Sequence, residues 1–213
     1  THLTGEALGL FYAGTLFTEF IDAPRWRELG ASILVAESRR QVSSDGVHFE
    51  QSTCYHRYTI DIYLHFLLLA SSNGVRVPGH VVDRVRQMVE FLLAARQPNG
   101  SIPAIGDVDG GTLLPLSPRR PEDAAGTFAT AAALFHRSDF AWAANGIAPE
   151  ILWLMGLDGL CAFDALHPVP PAGPASRAFP VGGYAIMRDQ WDDDASQMIV
   201  DIGPLGCPGS SGH

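Results

Sequence analysis

The segment from Glu50 to Tyr58 combines the residue types that proton transfer beside a carboxylate needs. Glu50 supplies a carboxylate, Tyr55 a phenol, His56 an imidazole and Arg57 a guanidinium, all at the start of an apolar helical run. A phenol or an imidazole can give or take a proton, and a guanidinium can bind a carboxylate through two parallel hydrogen bonds. Since a phenol has an ordinary pKa of about 10, Tyr55 could act as a base only beside a cation or a hydrogen-bond donor. The segment therefore indicates acid–base chemistry on an acidic substrate.

Several of these side chains also have structural explanations. His56 could form a wall of the site or be a solvated or capping imidazole, and Arg57 could bind a substrate carboxylate or pair with Glu50. Glu50 itself could hold His2 or Tyr55 in place, or cap the helix. Tyr58 falls on the apolar side of the helix with Ile62, so core packing is the better interpretation.

Three further candidates lie far from this segment. Glu6 follows His2 by one helical turn and could orient its imidazole, although a solvated carboxylate near the positive helix end explains it equally well. His213 is the last residue. Together these positions suggest a site assembled by folding.

The acidic loop does not match a known calcium motif. Asp107 and Asp109 invite that interpretation, but Thr112 and Pro118 stand where an EF-hand has its glycine and closing glutamate. We therefore predict a structural turn and assign no metal ligand.

Hydrophobic periodicity predicts helical hairpins followed by strands. The predicted helices cover about Thr4 to Phe17, Asp22 to Gln41, Ser52 to Ser72, Gly79 to Arg96, Glu122 to Phe135 and Ala148 to Leu154. A loop from Ser101 to Pro121 separates the fourth helix from the fifth. The two predicted strands are Phe179 to Arg188 and Gln197 to Asp201. Two or three strands leave open edges, so the β domain cannot be complete. We predict a mainly α chain in which residues 1–167 form part of an (α/α) toroid, 168–178 a proline-rich linker and 179–213 the start of an antiparallel β-sandwich.

The charge and cysteine content of the chain limit the classes of partner that it can bind. The formal charge of −9, from 23 acidic and 14 basic residues, offers no basic stripe for nucleic acid or an anionic membrane. Cys54, Cys161 and Cys207 are odd in number and far apart, which predicts buried thiols instead of disulfides or a zinc site. No leader is recognisable, although both ends look cut, so the location stays open and is compatible with a bacterial periplasmic or secreted protein. The oligomeric state is equally open.

Several strings in this chain, in this order, resemble the heparinase II/III-like polysaccharide lyases. They are His2-Leu3-Thr4-Gly5-Glu6-Ala7-Leu8, Glu50-Gln51-Ser52 before Tyr55-His56, Gly106-Asp107-Val108-Asp109-Gly110-Gly111, Gly183-Tyr184-Ala185-Ile186-Met187-Arg188, and Gly203-Pro204-Leu205-Gly206 leading to Gly212-His213. The resemblance implies cleavage of a uronic-acid polysaccharide by β-elimination. It requires no cofactor within this chain and implies a structural zinc or calcium ion in a β-domain continuation beyond His213.

The same resemblance implies roles for individual residues. Tyr55 matches a catalytic tyrosine that donates a proton and could also be the base, while His2 would neutralise the substrate carboxylate or act as base. His213 would complete the pocket, and His56, Arg57, Glu50 and Glu6 would contact or support the substrate. Thr1 is a departure, because the family has an asparagine there and the amide donor is missing.

Three other functions remain open from the sequence. A C5-uronate epimerase would share the proton abstraction without bond cleavage. A glycoside hydrolase on a similar toroid would use two carboxylates, with Asp107 or Asp109 and Glu50 as candidates. A degenerate member would bind glycan without turnover.

Overall fold

The structure, a computed structural model, describes residues 1–204. In this part of the chain, helices precede a small sheet. The elements are α1 (His2–Leu16), α2 (Ala23–Arg40), α3 (Thr53–Ser72), α4 (Gly79–Ala95), α5 (Ala125–Phe135), α6 (Ser138–Ala144), α7 (Pro149–Asp164), β1 (Arg177–Phe179), β2 (Tyr184–Arg188) and β3 (Gln197–Asp201). None of the helices in residues 1–204 has the length and apolar character needed to cross a membrane.

The first hairpin, α1 and α2, packs backbone to backbone. A Cβ placed on Gly30 of α2 would lie only 2.5 Å from the carbonyl oxygen of Ala7 on α1, so a larger residue would force the two helices apart. α1 begins earlier than predicted, at His2. Thr4 is not its cap but lies buried inside the first turn, where its hydroxyl donates to the carbonyl of Thr1 at 2.7 Å. This packing fixes the start of α1, which forms part of the candidate site.

Helix α3 is the central element and carries most of the segment that indicated chemistry. It contacts α1, α4, α5 and α7, and its residues Ile60, Tyr63 and Phe66 are completely buried. The predicted start is confirmed, because the Ser52 hydroxyl caps the helix by accepting from the backbone N–H of Tyr55 at 3.2 Å. Burial on several sides holds the first turn of α3 in a fixed orientation.

The later helices differ from the prediction. The short helix α6 was not predicted, and α7 continues to Asp164, well beyond the predicted end near Leu154. α7 is interrupted at Gly156, whose φ of 64° and ψ of −155° are not helical. A glycine within an otherwise apolar run gives no sign of whether the helix resumes after it.

The sheet is antiparallel, in the order β1, β2, β3. The single predicted strand from Phe179 to Arg188 is two strands, joined by a turn that the Asp45 carboxylate holds by accepting from the N–H groups of Val181 and Gly182 at 2.7 and 3.0 Å. Phe179 and Tyr184 pack on Phe91 of α4. β1 begins at Arg177, and the division into toroid, linker and sandwich stays a prediction.

Candidate active site

A cavity of about 330 Å³ lies where α1, the first turn of α3 and the acidic loop meet. We call it the Tyr55 cavity. Its lining residues are Thr1, His2, Gly5 and Glu6 at the start of α1, Cys54, Tyr55 and Tyr58 of α3, and Asp109, Gly111 and Thr112 of the loop. Residues far apart in sequence therefore meet at one place, as the sequence suggested for His2 and Tyr55.

The α1 wall of the cavity carries His2 and Glu6. The two residues are one helical turn apart, both are exposed, and both line the cavity. Their side chains can therefore reach a bound molecule.

Thr1 and Glu50 form a buried pair behind this wall. The backbone nitrogen of Thr1 lies 2.7 Å from Glu50 Oε1, and its hydroxyl donates to Glu50 Oε2. Glu50 does not line the cavity, and the cap of α3 is Ser52. Glu50 therefore holds Thr1, the residue that precedes His2, and its Oε2 also lies 3.8 Å from His48 Nδ1.

Tyr55 reaches the cavity with a hydrogen-bonded hydroxyl. Its Oη donates to Asp109 Oδ2 at 2.8 Å, and Asp109 Oδ1 accepts from the backbone N–H of Gly111 at 3.0 Å. The hydrogen bond to Asp109, burial, and the negative charges of Asp109, Asp107 and Glu50 raise the pKa of Tyr55 to about 12. The phenol is therefore held in its protonated form.

Asp109 contacts Tyr55, a role that the sequence did not indicate, since Asp109 was considered only as a turn residue or a hydrolase carboxylate. A structural turn was predicted, and the loop does turn there, but its carboxylate also meets Tyr55. A signal was present in the alternation of Asp107 and Asp109 with glycines. Nothing in the sequence tied that loop to Tyr55 across more than fifty positions.

Gly106 explains how closely the loop approaches α3. Its φ of +68° lies in the left-handed region, and a Cβ there would lie 2.8 Å from the carbonyl oxygen of Gln51 and 3.0 Å from Ser52 Cα. The Ser52 hydroxyl also donates to the carbonyl of Asp107 at 2.7 Å. The loop is thus anchored against the residue that caps α3.

Arg57 does not line the Tyr55 cavity and does not pair with Glu50, one of its two predicted roles. Its Nη1 pairs with Asp61 Oδ2 at 3.0 Å, and its Nη2 donates to the carbonyl of Gly111 at 2.8 Å. Asp61 in turn accepts from the hydroxyl of Thr127 on α5 at 2.6 Å. Arg57 therefore holds Gly111, the residue whose own N–H donates to Asp109.

His56 also lies outside the cavity, because it is the following residue on the helix and points inward. It is 1% exposed, Nε2 donates to the carbonyl of Met88 at 2.9 Å, and Nδ1 accepts from the N–H of His48 at 3.3 Å. Burial lowers its pKa to about 4. The predicted site-wall role is not what the structure shows, and His56 joins α3 to α4 as a neutral imidazole.

The remaining predicted site residues divide between the described and undescribed parts of the chain. Tyr58, predicted as core, is half-buried: it packs against the core and lines the cavity as well. His213 lies outside the described residues.

Within residues 1–204 no three His, Cys, Asp or Glu side chains are grouped to hold a metal ion. The ion implied for the continuation stays a prediction.

The thiols agree only in part with the sequence. Cys54 and Cys161 are free; Cys54 is buried but Cys161 is exposed. Cys207 lies outside the part of the chain that the structure describes.

Comparison with known proteins assigns the chain to a family. Residues 1–117, more than half of the chain, match the family Heparinase II/III N-terminus. The chain belongs to the heparinase II/III family. Heparin-sulfate lyases from Pedobacter heparinus and Bacteroides stercoris are 29% and 27% identical to it, over 96% and 95% of this chain. The chain spans only 28% and 27% of these two relatives.

Solved structures of the heparinase II/III family support the same assignment. A heparinase III superposes with a TM-score of 0.72 at 28% identity, covering 96% of this chain and 28% of that one. Heparan sulfate lyase HepC from Pedobacter heparinus gives a TM-score of 0.69, and a mutant of it 0.70, both at 27% identity and covering 95% of this chain and 28% of that one. The predicted fold class, part of a helical toroid followed by the first antiparallel strands, is confirmed.

Proposed function

We propose that this chain belongs to a lyase that cleaves a uronic-acid-containing acidic polysaccharide by β-elimination, with the Tyr55 cavity as the place of cleavage. The observation that carries the proposal is the Tyr55 hydroxyl, held protonated by Asp109 in a cavity that also exposes His2. Relatives named heparin-sulfate lyases make heparan-type polysaccharides the first substrates to test.

In this reaction a base removes the proton from the ring carbon that bears the carboxylate. The electron pair forms a double bond to the neighbouring carbon, whose bond to the glycosidic oxygen breaks, and that oxygen takes up a proton. The carbon acid is very weak, so the site must also neutralise the substrate carboxylate. An imidazole suits either the neutralising or the basic role, and His2 is the imidazole that lines the Tyr55 cavity among the described residues.

We assign the role of proton donor to Tyr55. A pKa of about 12 keeps the phenol protonated at neutral pH, and the loop holds its hydroxyl through Asp109. The same acidic surroundings oppose a resting phenolate, so a role as base would require a cation from beyond the described residues. Within residues 1–204 the division of labour that fits best is Tyr55 as acid and His2 as base or carboxylate ligand. His213 stays the predicted third member.

The hydrolase alternative receives less support. It needed Glu50 as one of two carboxylates at the substrate, but Glu50 is 8% exposed, binds Thr1 and does not line the cavity. The epimerase and the non-catalytic alternatives share the cavity and are separated from the lyase by experiment.

The test is to offer the full-length protein heparan sulfate, heparin, hyaluronan, alginate and bacterial uronic exopolysaccharides, and to follow products by ultraviolet absorbance and mass spectrometry. A lyase yields shortened chains with an absorbing unsaturated end. Saturated fragments would indicate hydrolysis, and deuterium uptake from solvent without shortening would indicate epimerisation. Binding measured by calorimetry with no product from any of them would support a degenerate member.

A further inference from the structure

Arg96 is a buried cation without a described partner. It is 8% exposed, follows the end of α4, and its guanidinium lies 4.9 Å from the ring centre of Trp142. Its Nε is buried without a hydrogen bond. Within residues 1–204 no carboxylate lies within 4.0 Å of its guanidinium. Burial lowers the pKa of Arg96, and the charge of Asp193 opposes that shift.

Three other arginines of limited exposure are paired with acids, whereas Arg188, which is 5% exposed, donates to the backbone carbonyl of Arg96 and has no ion-pair partner among the described residues. Arg57 pairs with Asp61 at 3.0 Å, Arg119 with Glu150 at 3.0 Å, and Arg137 with Glu90 at 2.8 Å. A buried charge is costly unless it is paired, so an arginine kept at position 96 without a described acid favours an anion as its partner.

Arg96 lines a cavity of about 550 Å³, which we call the Arg96 cavity. The cavity lies between the end of α4, the loop that precedes α5, and the end of α6. A Cβ on Gly100, whose φ is +90°, would lie 3.0 Å from Arg96 Nη2, so the backbone passes directly beside the guanidinium. Ser101 and Asn145 add polar groups to the lining.

Charge in this lining is balanced except at Arg96. Arg119 pairs with Asp123 at 3.0 Å, and Arg120 lies 3.9 Å from Glu122. All four of these residues line the cavity, so two positive and two negative charges offset one another. The uncompensated charge in the lining is the buried guanidinium of Arg96.

We propose that the Arg96 cavity binds a sulfate or carboxylate group of an acidic polysaccharide, outside the cavity in which Tyr55 acts. The oxyanion chemistry follows from Arg96 alone, whereas the assignment to a polysaccharide rests on the proposed function. A guanidinium matches the planar spacing of two oxygens on either group. Trp142 holds the guanidinium by its ring face, at 4.9 Å from the ring centre, and does not take up its hydrogen-bonding capacity.

The two cavities adjoin a third one that lies between them. This third cavity, of about 220 Å³, shares Cys54 with the Tyr55 cavity and Glu122 with the Arg96 cavity. The three cavities are therefore neighbours, and we propose this direction for an extended polymer that occupies both the Tyr55 cavity and the Arg96 cavity.

The experiment compares binding in full-length protein that carries Tyr55→Phe, so that the probe is not consumed. The probes are a sulfated heparan octasaccharide, its desulfated counterpart and inorganic sulfate, titrated by calorimetry. Arg96→Met keeps most of the packing on Trp142, and Arg76→Met removes the same charge from an exposed loop position. We expect Arg96→Met to weaken binding of the sulfated octasaccharide roughly tenfold to a hundredfold, and Arg76→Met to change it less than about twofold.

A second variant and a measurement of the melting temperature distinguish a loss of binding from a loss of folding. Arg120→Met alters a side chain that is 86% exposed and should weaken binding by about threefold without affecting folding. Because Arg96 lacks a described partner, Arg96→Met should leave the melting temperature unchanged or raise it. A melting temperature several degrees lower, with octasaccharide binding intact, would mean that the partner is an acid of the protein itself, and would overturn the proposal.

The three probes show whether the bound anion is part of a polysaccharide or a small free ion. They also allow the Arg96 site and the proposed lyase function to fail independently. An effect of Arg96→Met on inorganic sulfate but not on the octasaccharide would reveal a small-anion site and overturn the polysaccharide assignment. If octasaccharide binding depends on Arg96 but the protein with Tyr55 intact cleaves no polysaccharide, the Arg96 binding site is supported and the proposed lyase function is rejected. If the protein with Tyr55 intact cleaves the polysaccharide but Arg96→Met and Arg76→Met bind the octasaccharide equally well, the lyase function is supported and the Arg96 binding site is rejected.

Discussion

The two faces of the first turn of α3 differ in nearly every physical property. Tyr55 and Tyr58 face the cavity and are half-buried, whereas His56 and Arg57 face the interior and are at most 7% exposed. On the cavity face a phenol has its pKa raised by carboxylates, and on the inner face an imidazole has its pKa lowered by burial. Residues adjacent in sequence thus have separate tasks: one face meets the substrate and the other holds the helix and the loop.

This comparison teaches that chemical residue types close in sequence need not form one site. Consecutive residues of a helix point in different directions, about 100° apart. Substitutions on the cavity face should therefore change catalysis and spare stability, and substitutions on the inner face should do the opposite.

The largest effect is expected for Tyr55→Phe on the cavity face. Removing the hydroxyl removes the proton donor, so kcat should fall by about 10³-fold or more, with an unchanged melting temperature. Tyr58→Phe is the matched control, since it removes a hydroxyl from the same cavity, and it should lose less than about tenfold. Equal losses in the two variants, measured from initial rates of unsaturated product, would break the distinction between the tyrosines.

On the inner face, Arg57→Met should lower the free energy of unfolding by about 3 kcal/mol or more, because it leaves the Asp61 carboxylate buried without its partner. Urea denaturation gives the value. Adding Asp61→Asn should recover part of the loss, since no unpaired charge then remains. A double variant no more stable than Arg57→Met would show that the ion pair is not what stabilises this face.

His56 should make the inner face sensitive to acid. Its pKa is about 4 in the folded protein and about 6.5 when unfolded, so the unfolded chain binds more protons between these values. The stability that it contributes is complete above about pH 6.5 and is lost as the pH falls, by up to about 3 kcal/mol. Urea midpoints from pH 7.5 to 4 should show a smaller decline for His56→Gln than for the unaltered protein. An identical decline would contradict the role of the buried imidazole.

Asp109→Asn should have a smaller catalytic effect, of roughly tenfold, because the amide can still accept from Tyr55 but carries no charge. The pKa of the phenol should fall from about 12 toward its ordinary 10. Since the acid works only while protonated, the decline of kcat at high pH should begin at a lower pH. An unshifted profile would mean that Asp109 only shapes the loop.

Much of the fold followed from the sequence, because local signals govern it. Ser52 at the start of α3, Pro24 in the first turn of α2 and the glycine after α3 are local stop and start signals, and the structure uses them. The prediction was wrong where a helix resumes after Gly156 and where one strand proved to be two. Those outcomes depend on packing against distant elements.

The site was predictable only in part, for the same reason. Tyr55, His2 and Glu6 line one cavity as the sequence suggested, although their catalytic roles stay a proposal. Asp109 was missed as a partner of Tyr55 because their contact depends on how a long loop folds back. His56 and Arg57 were placed in the site by their chemistry, and the helix turns both of them inward.

The central claim is that Tyr55 gives the proton to the leaving oxygen, and a substrate that needs no such proton tests it directly. In a uronic acid that carries a 4-nitrophenoxy group on the ring carbon next to the one that loses its proton, the leaving 4-nitrophenolate is a stable anion, so the rate with this substrate should fall less than about tenfold in Tyr55→Phe. The same variant should lose about 10³-fold or more on the natural polysaccharide. Equal losses on both substrates would contradict the assignment of Tyr55 as the acid.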